Sequence, residues 1–348
     1  MKRRNFVLSL SAASLAANLN LFSQDKIIEN NMIIKPSMLN SGDSVYLIAP
    51  ASNTPDPDDI AKALEICNYY GLKAIISPNL TNSFGYKTRS IQVRVDEIHS
   101  AFADKESKAV WCLRGGYGSG QLLDKIDYEL IKKNPKIFIG YSDITAMHIA
   151  INQSTGLVCF HGPIILSAFT NYTETNFRKV IFQNGVIGKL TNPIANSGIR
   201  NAYPIRTFNS GIAQGQLIGG NLSLVTSLLG TKYEINSKGK ILFLEDVGEE
   251  PFRIDRMMNQ LRLAGKFDDC VGIVFGKCND CTYKSAPNST WDSSLGEVLD
   301  LYLKDIKKPA FYGLMIGHTP EQLTLPIGLN AIIDADNGTI EINDSAVK

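Results

Sequence analysis

Ile137-Phe138-Ile139-Gly140-Tyr141-Ser142-Asp143-Ile144-Thr145-Ala146-Met147-His148 reads as a buried strand, a glycine, a serine and then a helix. A strand that turns so tightly into a helix belongs to an α/β layer architecture, and it holds the serine out at the C-terminal end of a sheet, where ligands bind in open α/β folds. Two roles are open to Ser142. It can be a nucleophile, with the backbone N–H of Asp143 opening the helix and free to stabilise an oxyanion. Equally, it can simply cap the helix that follows. The segment is Gly-x-Ser-Asp, so the general hydrolase pattern Gly-x-Ser-x-Gly is not met.

On either side of this segment, short apolar runs alternate with amphipathic stretches, which predicts a parallel sheet flanked by helices. Strands are expected at residues 44–49, 74–77, 109–113 and 136–140, each short and apolar as buried parallel strands are. Asp56-Pro57 supplies an N-cap and a first-turn proline, Ile60, Leu64 and Cys67 recur at helical spacing, and Gly71 closes that helix. A second helix is expected at 89–103. Between about Ile165 and Thr207 the periodicity weakens and Asn192-Pro193, Asn196-Ser197-Gly198 and Tyr203-Pro204 mark turns. Strands follow at 211–218, 240–244, 271–275, 323–325, 330–334 and 339–342, with helices at 221–229 and 251–264. The expected organisation is an N-terminal nucleophile domain over 40–165, a linker region over 166–207, and a smaller mixed α/β domain richer in antiparallel pairing over 208–345.

A serine nucleophile needs a base, and the four histidines are His99, His148, His161 and His318. His148 falls at helical spacing from Ile144 and Ile151, on the core face; His99 sits on the polar side of a helix. His161 follows an apolar strand in Phe160-His161-Gly162-Pro163, and His318 lies in the loop Gly317-His318-Thr319-Pro320. By chemistry alone these last two are nearly tied. A carboxylate at the end of a buried strand can hold the imidazole in one tautomer, and Glu245 ends Ile241-Leu242-Phe243-Leu244-Glu245. The competing reading is that Glu245, Asp246, Glu249 and Glu250 form a solvated acidic run or cap the helix starting at Pro251. The glycine-dense loop Arg114-Gly115-Gly116-Tyr117-Gly118-Ser119-Gly120 lets backbone N–H groups approach an anion, although it matches neither Gly-x-Gly-x-x-Gly nor a phosphate loop. A plain turn explains that loop equally well.

Composition bounds the rest. With 348 residues, 44% of them hydrophobic, the chain can bury an ordinary core in about two domains of ~150 residues. Lys2, Arg3 and Arg4 precede an uncharged apolar run from Phe6 to Phe22, which reads as a secretory signal over 1–23. Arg3-Arg4-Asn5-Phe6-Val7-Leu8 resembles a twin-arginine export signal, with Sec-type export and an uncleaved anchor as the alternatives, so an exported, periplasmic location is expected, with the membrane met only in transit. Losing that segment takes three of the 35 basic residues and none of the 34 acidic ones, a formal net charge of −2 that does not suggest nucleic acid. Six cysteines are too few for a disulfide scaffold. Cys67, Cys112 and Cys159 read as buried thiols. Cys278-Asn279-Asp280-Cys281, with Cys270 upstream, has metal or redox spacing but no second pair or nearby histidine, so a disulfide or free thiols stand ahead of a metal.

The ordered set Ala101-Phe102-Ala103-Asp104, the Arg114 loop, Gly140-Tyr141-Ser142-Asp143, Phe160-His161-Gly162-Pro163, Gly219-Gly220-Asn221-Leu222, Leu244-Glu245-Asp246 with Arg253-Ile254-Asp255-Arg256, and Gly317-His318 with Leu325-Pro326-Ile327-Gly328 resembles the LD-carboxypeptidase and microcin-immunity serine peptidases. The likeness runs from about Ser41 to Asp334. It implies a flavodoxin-like parallel-sheet N-terminal domain and a smaller mixed C-terminal one, with the active site between them. It also implies Ser142 as nucleophile, Glu245 as acid, His318 as base, and an oxyanion hole from the N–H groups of Asp143 and Gly116. The substrate implied is a muropeptide losing a terminal D-residue, without metal or organic cofactor. The alternatives are a peptidyl-nucleotide amide hydrolase and a non-catalytic wall-peptide binding protein. A homodimer is left open.

Overall fold

The computed structural model describes residues 32–54, 56–80, 89–194, 199, 201–283 and 294–348; the signal expected over 1–23 lies outside them. The first sheet contains β1 (Ser44–Ile48), β2 (Lys73–Ile76), β3 (Ser107–Cys112), β4 (Ile137–Gly140) and β5 (Cys159–His161). These five run parallel, because each is followed by a helix or helical turn that carries the chain back across the sheet. The helix Pro57–Tyr69 starts where expected, with the Asp56 side chain accepting the Asp58 N–H. In the next one, Ile91–Ala103, Ser90 caps Val93.

The second sheet contains β6 (Gly188–Leu190), β7 (Arg206–Asn209), β8 (Ile212–Asn221), β9 (Ile241–Glu245), β10 (Gly272–Gly276), β11 (Ala310–Leu314), and, beyond β12 (Leu325–Ile327), β13 (Asn330–Asp334) and β14 (Thr339–Ile342). Its order is β6-β14-β13-β8-β9-β10-β11-β7. The inner run β8 to β11 is parallel and the flanks are antiparallel, the mixed character expected of this half.

The strand expected at 323–325 forms instead at Leu325–Ile327, and it joins the first sheet: β12 pairs antiparallel with β5, giving the order β12-β5-β4-β3-β1-β2. Its Pro326 can be accommodated because β12 is the edge strand. The stretch 166–207 holds the helix Asn171–Ile181 as well as turns, capped by Thr170 and burying Phe177, Val180 and Ile181. Phe177 stacks on Trp111 of β3 at 5.0 Å between ring centres, so this segment covers one face of the first sheet. Burying a side chain of that size contributes about 2–3 kcal/mol. Residues Ile33–Lys348 form one compact unit. Within it the sheets meet where β8 ends: the Asn221 N–H donates to Thr145 Oγ1 (3.0 Å), at the start of the helix that follows β4.

Candidate active site

β4 ends at Gly140, Tyr141 is extended, and Ser142 then takes φ +64° at the start of a 3-10 turn, Ser142–Ile144, that runs into the helix Thr145–Thr155. Only Ser142, Asp280 and Lys307 have positive φ among the described non-glycine residues. The left-handed conformation costs a serine about 1–2 kcal/mol and is held by its surroundings. Two glycines make room for it. A Cβ on Gly140 would come within 3.0 Å of the Ile144 side chain, and one on Gly115 would lie 2.9 Å from Ser142 Cβ.

Glu245 and His318 reach this serine from the second sheet and the loop after β11. The His318 Nε2 lies 3.0 Å from Ser142 Oγ, and its Nδ1 lies 2.7 Å from Glu245 Oε2. With the proton on Nδ1, donated to the carboxylate, the Nε2 lone pair faces the serine hydroxyl, as a general base requires. Glu245 is fully buried, and among the described residues its other oxygen has no hydrogen-bond partner. His318 remains partly open to solvent. Its backbone approach is fixed by Gly317 (φ +79°), where a Cβ would fall 2.0 Å from Glu245 Oε2. Gln322 Nε2 donates to the Gly317 carbonyl (2.7 Å), and the edge of Tyr141 packs against the His318 ring, 4.8 Å between centres.

The glycine loop and Asp143 are tied together. Asp143 Oδ2 accepts the Ser119 N–H (2.7 Å) and Oδ1 the Gly118 N–H (3.3 Å), so this residue anchors the loop with its side chain while its backbone adjoins Ser142. Ser52 Oγ accepts the Tyr117 N–H, and Gly116 (φ +113°) has no room for a side chain because a Cβ would sit 2.1 Å from that hydroxyl. From below, the buried Arg94 donates to the carbonyls of Gly118 (2.8 Å), Pro50 and Arg89. Burial first, and then the charge of Arg89, holds its pKa below the usual value. Arg89 is neutralised in turn by Glu97 at 2.6 Å, both side chains buried. Gln322, Ser52, Arg94 and the Asp143 side chain carry no local sequence signal; only their positions beside the marked motifs hint at them.

Of the two histidines tied by chemistry, the structure brings His318 to Ser142 and leaves His161 inside the core. His161 is fully buried in β5 between Phe243 and His148, and neither ring nitrogen has a hydrogen-bond partner among the described residues. Burial pushes its pKa well below the ordinary value, with His148 and His318 adding to the effect. Burial likewise lowers His148 to about 3. His99 Nε2 accepts the Asp127 N–H at 2.9 Å. Of the acidic run, Asp246 is buried rather than solvated, accepting from Asn221 Nδ2, Ser223 and Val247; burial raises its pKa. All six cysteines are free and buried, and no group of three or more His, Cys, Asp or Glu fit to hold a metal occurs among the described residues.

A parallel sheet offering a serine on a strained turn, met by a histidine and a buried carboxylate from a second sheet, has the build of a two-sheet α/β peptidase. The chain belongs to the LD-carboxypeptidase family, peptidase S66: residues 45–162 match its N-terminal domain and 214–333 its C-terminal domain. A Bacillus subtilis protein named "Probable murein peptide carboxypeptidase" is 40% identical over 313 residues, covering 88% of this chain and 94% of that protein. Among solved structures, the microcin C7 self immunity protein MccF superposes with a TM-score of 0.80 at 25% identity, over 90% of this chain and all of that one. The muramoyltetrapeptide carboxypeptidase of Oxalobacter formigenes does so with a TM-score of 0.73 at 26% identity, over 87% and 99%.

Proposed function

We propose that this carboxypeptidase is of the serine type and cleaves the bond between an L-centre and a terminal D-amino acid in a murein tetrapeptide. The observation that carries the mechanism is the unbroken line Glu245 Oε2, His318 Nδ1 and Nε2, Ser142 Oγ. In this reading His318 Nε2 takes the Ser142 proton as Oγ attacks the scissile carbonyl. The developing oxyanion turns toward the N–H groups of Asp143 and Gly116, and Glu245 stabilises the imidazolium. His318 then gives its proton to the departing amine of the D-residue. A water, deprotonated by the same imidazole, attacks the acyl-enzyme and frees Ser142. This chemistry calls on no metal or organic cofactor. The 40% identical murein relative supports the substrate class.

A fluorophosphonate probe tests the mechanism. Stoichiometric labelling of Ser142, lost in Ser142→Ala at unchanged circular dichroism, is expected; an unlabelled folded wild type would instead favour a binding protein. A second reading, hydrolysis of a peptidyl-nucleotide amide, is favoured by the likeness to MccF, which superposes with a TM-score of 0.81 in its complex with aspartyl sulfamoyl adenosine. We further propose export to the periplasm, on the Arg3-Arg4 segment.

A further inference from the structure

β10 leaves the second sheet at Gly276 and passes at once into Cys278-Asn279-Asp280-Cys281. In this turn Asp280 adopts φ +53°, and the Cys278 thiol hydrogen-bonds to the Cys281 sulfur. Two thiols separated by two intervening residues and hydrogen-bonded to each other have the arrangement from which an intramolecular disulfide closes by a small movement. Among the described residues they are not sealed off. Both line a cavity of about 340 Å³, shared with Pro251, Thr282, Tyr283 and Leu295, although each residue is itself less than a tenth exposed. The other four cysteines are buried, and none of them lines that cavity.

The turn is stitched to the segment that follows Glu245. Val247 bridges to Asn279, the Gly248 N–H donates to the Asn279 carbonyl at 2.9 Å, and the Glu249 N–H donates to the Cys281 sulfur. Gly276 lies under the acid itself, since a Cβ there would be 3.2 Å from Glu245 Cβ.

We propose that Cys278 and Cys281 are a redox-active dithiol, oxidised by a low-molecular-weight disulfide to an intramolecular disulfide that shifts the loop after Glu245. Cys281 is the attacking sulfur: its thiol can donate to the Asn279 carbonyl (3.5 Å), but the hydrogen bonds it accepts from Cys278 and from the Glu249 N–H favour its thiolate and hold its pKa below the usual thiol value despite burial. The Cys281 thiolate attacks one sulfur of the disulfide, forming a mixed disulfide and expelling one thiolate. Cys278 then loses its proton and attacks the Cys281 sulfur, expelling the second. Two protein thiols lose two electrons in total, and the disulfide is reduced to two thiols.

The test exposes the reduced, folded full chain to glutathione disulfide, followed by alkylation and intact and peptide mass spectrometry. Expected is the loss of two hydrogens located to the Cys278–Cys281 peptide and restored by dithiothreitol, with Cys67, Cys112, Cys159 and Cys270 alkylated only after unfolding. Cys278→Ser should stop at one stable glutathione on Cys281, and Cys281→Ser should acquire none. Absence of the internal disulfide in folded wild type, or a stable adduct on Cys278 in Cys281→Ser, overturns the assignment. These mass readouts do not depend on the proposed activity. The link to the acid is read as turnover: movement of the carboxylate by about 1 Å costs up to ~10²-fold, so oxidised enzyme should be about tenfold or more slower and recover on reduction. A clean disulfide with unchanged turnover refutes that link.

Discussion

Gly317→Ala tests whether the contact between Glu245 and His318 is as tight as it must be. The new Cβ would lie 2.0, 2.3 and 2.5 Å from Oε2, Cδ and Cγ of Glu245, three atoms of one buried side chain. Ordinary contacts between such atoms are about 3.5 Å, so the carboxylate or the His318 loop has to retreat by about 1 Å or more. The 2.7 Å bond to Nδ1 then lengthens beyond hydrogen-bonding range. A misplacement of that size costs ~10²-fold and loss of the orienting acid up to ~10⁴-fold, so kcat/KM should fall by about 10² to 10⁴. Backbone strain is separable from the clash. Gly42 has a similar φ, +93°, with nothing within 4 Å of its Cβ position, so Gly42→Ala carries the conformational penalty of about 1–2 kcal/mol alone. The assay is D-alanine release from a murein tetrapeptide, with urea unfolding of both variants alongside. If folded Gly317→Ala keeps its kcat/KM within about threefold of wild type and of Gly42→Ala, the acid does not act through this contact.

Three further outcomes follow from the same geometry. His318→Ala should lose activity as severely as Ser142→Ala, leaving only the ~10³ to 10⁴-fold catalysis due to binding and the oxyanion hole, whereas His161→Ala should chiefly lower stability; urea unfolding and kcat of the two variants separate these, and the reverse order would move the base to His161. Because His148 has a folded pKa of about 3 against 6.5 unfolded, the unfolded chain binds the extra proton between those values. Stability therefore falls as pH drops below about 6.5, by up to ~1.4 kcal/mol per pH unit for this group, and urea unfolding of His148→Gln should show a slope shallower by about that amount; equal slopes would mean His148 is not held neutral. Arg3→Lys/Arg4→Lys should abolish periplasmic recovery on cell fractionation if export follows the twin-arginine route, and unchanged recovery would point elsewhere.

Much of the architecture is legible because it is local. The alternation of apolar runs and amphipathic segments locates β1 to β4, β9 and β10 within a residue or two, and Asp56-Pro57 marks one helix start to the residue. Part of what escapes depends on distant chain. Pro326 argues against a central strand, and it takes the β5 edge, 164 residues upstream at Leu325↔His161, to give β12 a partner. The helix Asn171–Ile181 hides in a turn-marked stretch because its exposed face is so polar that only Phe177, Val180 and Ile181 betray it. The helix Leu295–Leu303 escapes despite a local signal, the capping box formed by Ser294 and Glu297. The near tie between His161 and His318 is a tertiary question, since what buries His161 is β12 on one side and Phe243 on the other. The left-handed backbone of Ser142 is likewise invisible, because a serine before a helix reads equally well as an ordinary cap.

The measurement that bears most directly on the central claim offers two murein tetrapeptides, identical except for a terminal D-alanine or L-alanine, at equal concentration. Inverting the leaving residue exchanges its side chain and carboxylate, so a pocket that fixes both displaces the scissile carbonyl from Ser142 Oγ and costs ~10²-fold or more. Release of D-alanine with a kcat/KM at least about 10² above that for L-alanine, abolished in Ser142→Ala, is the expected result. Equal cleavage of both peptides, or cleavage of neither alongside rapid hydrolysis of a peptidyl-nucleotide amide, would contradict it.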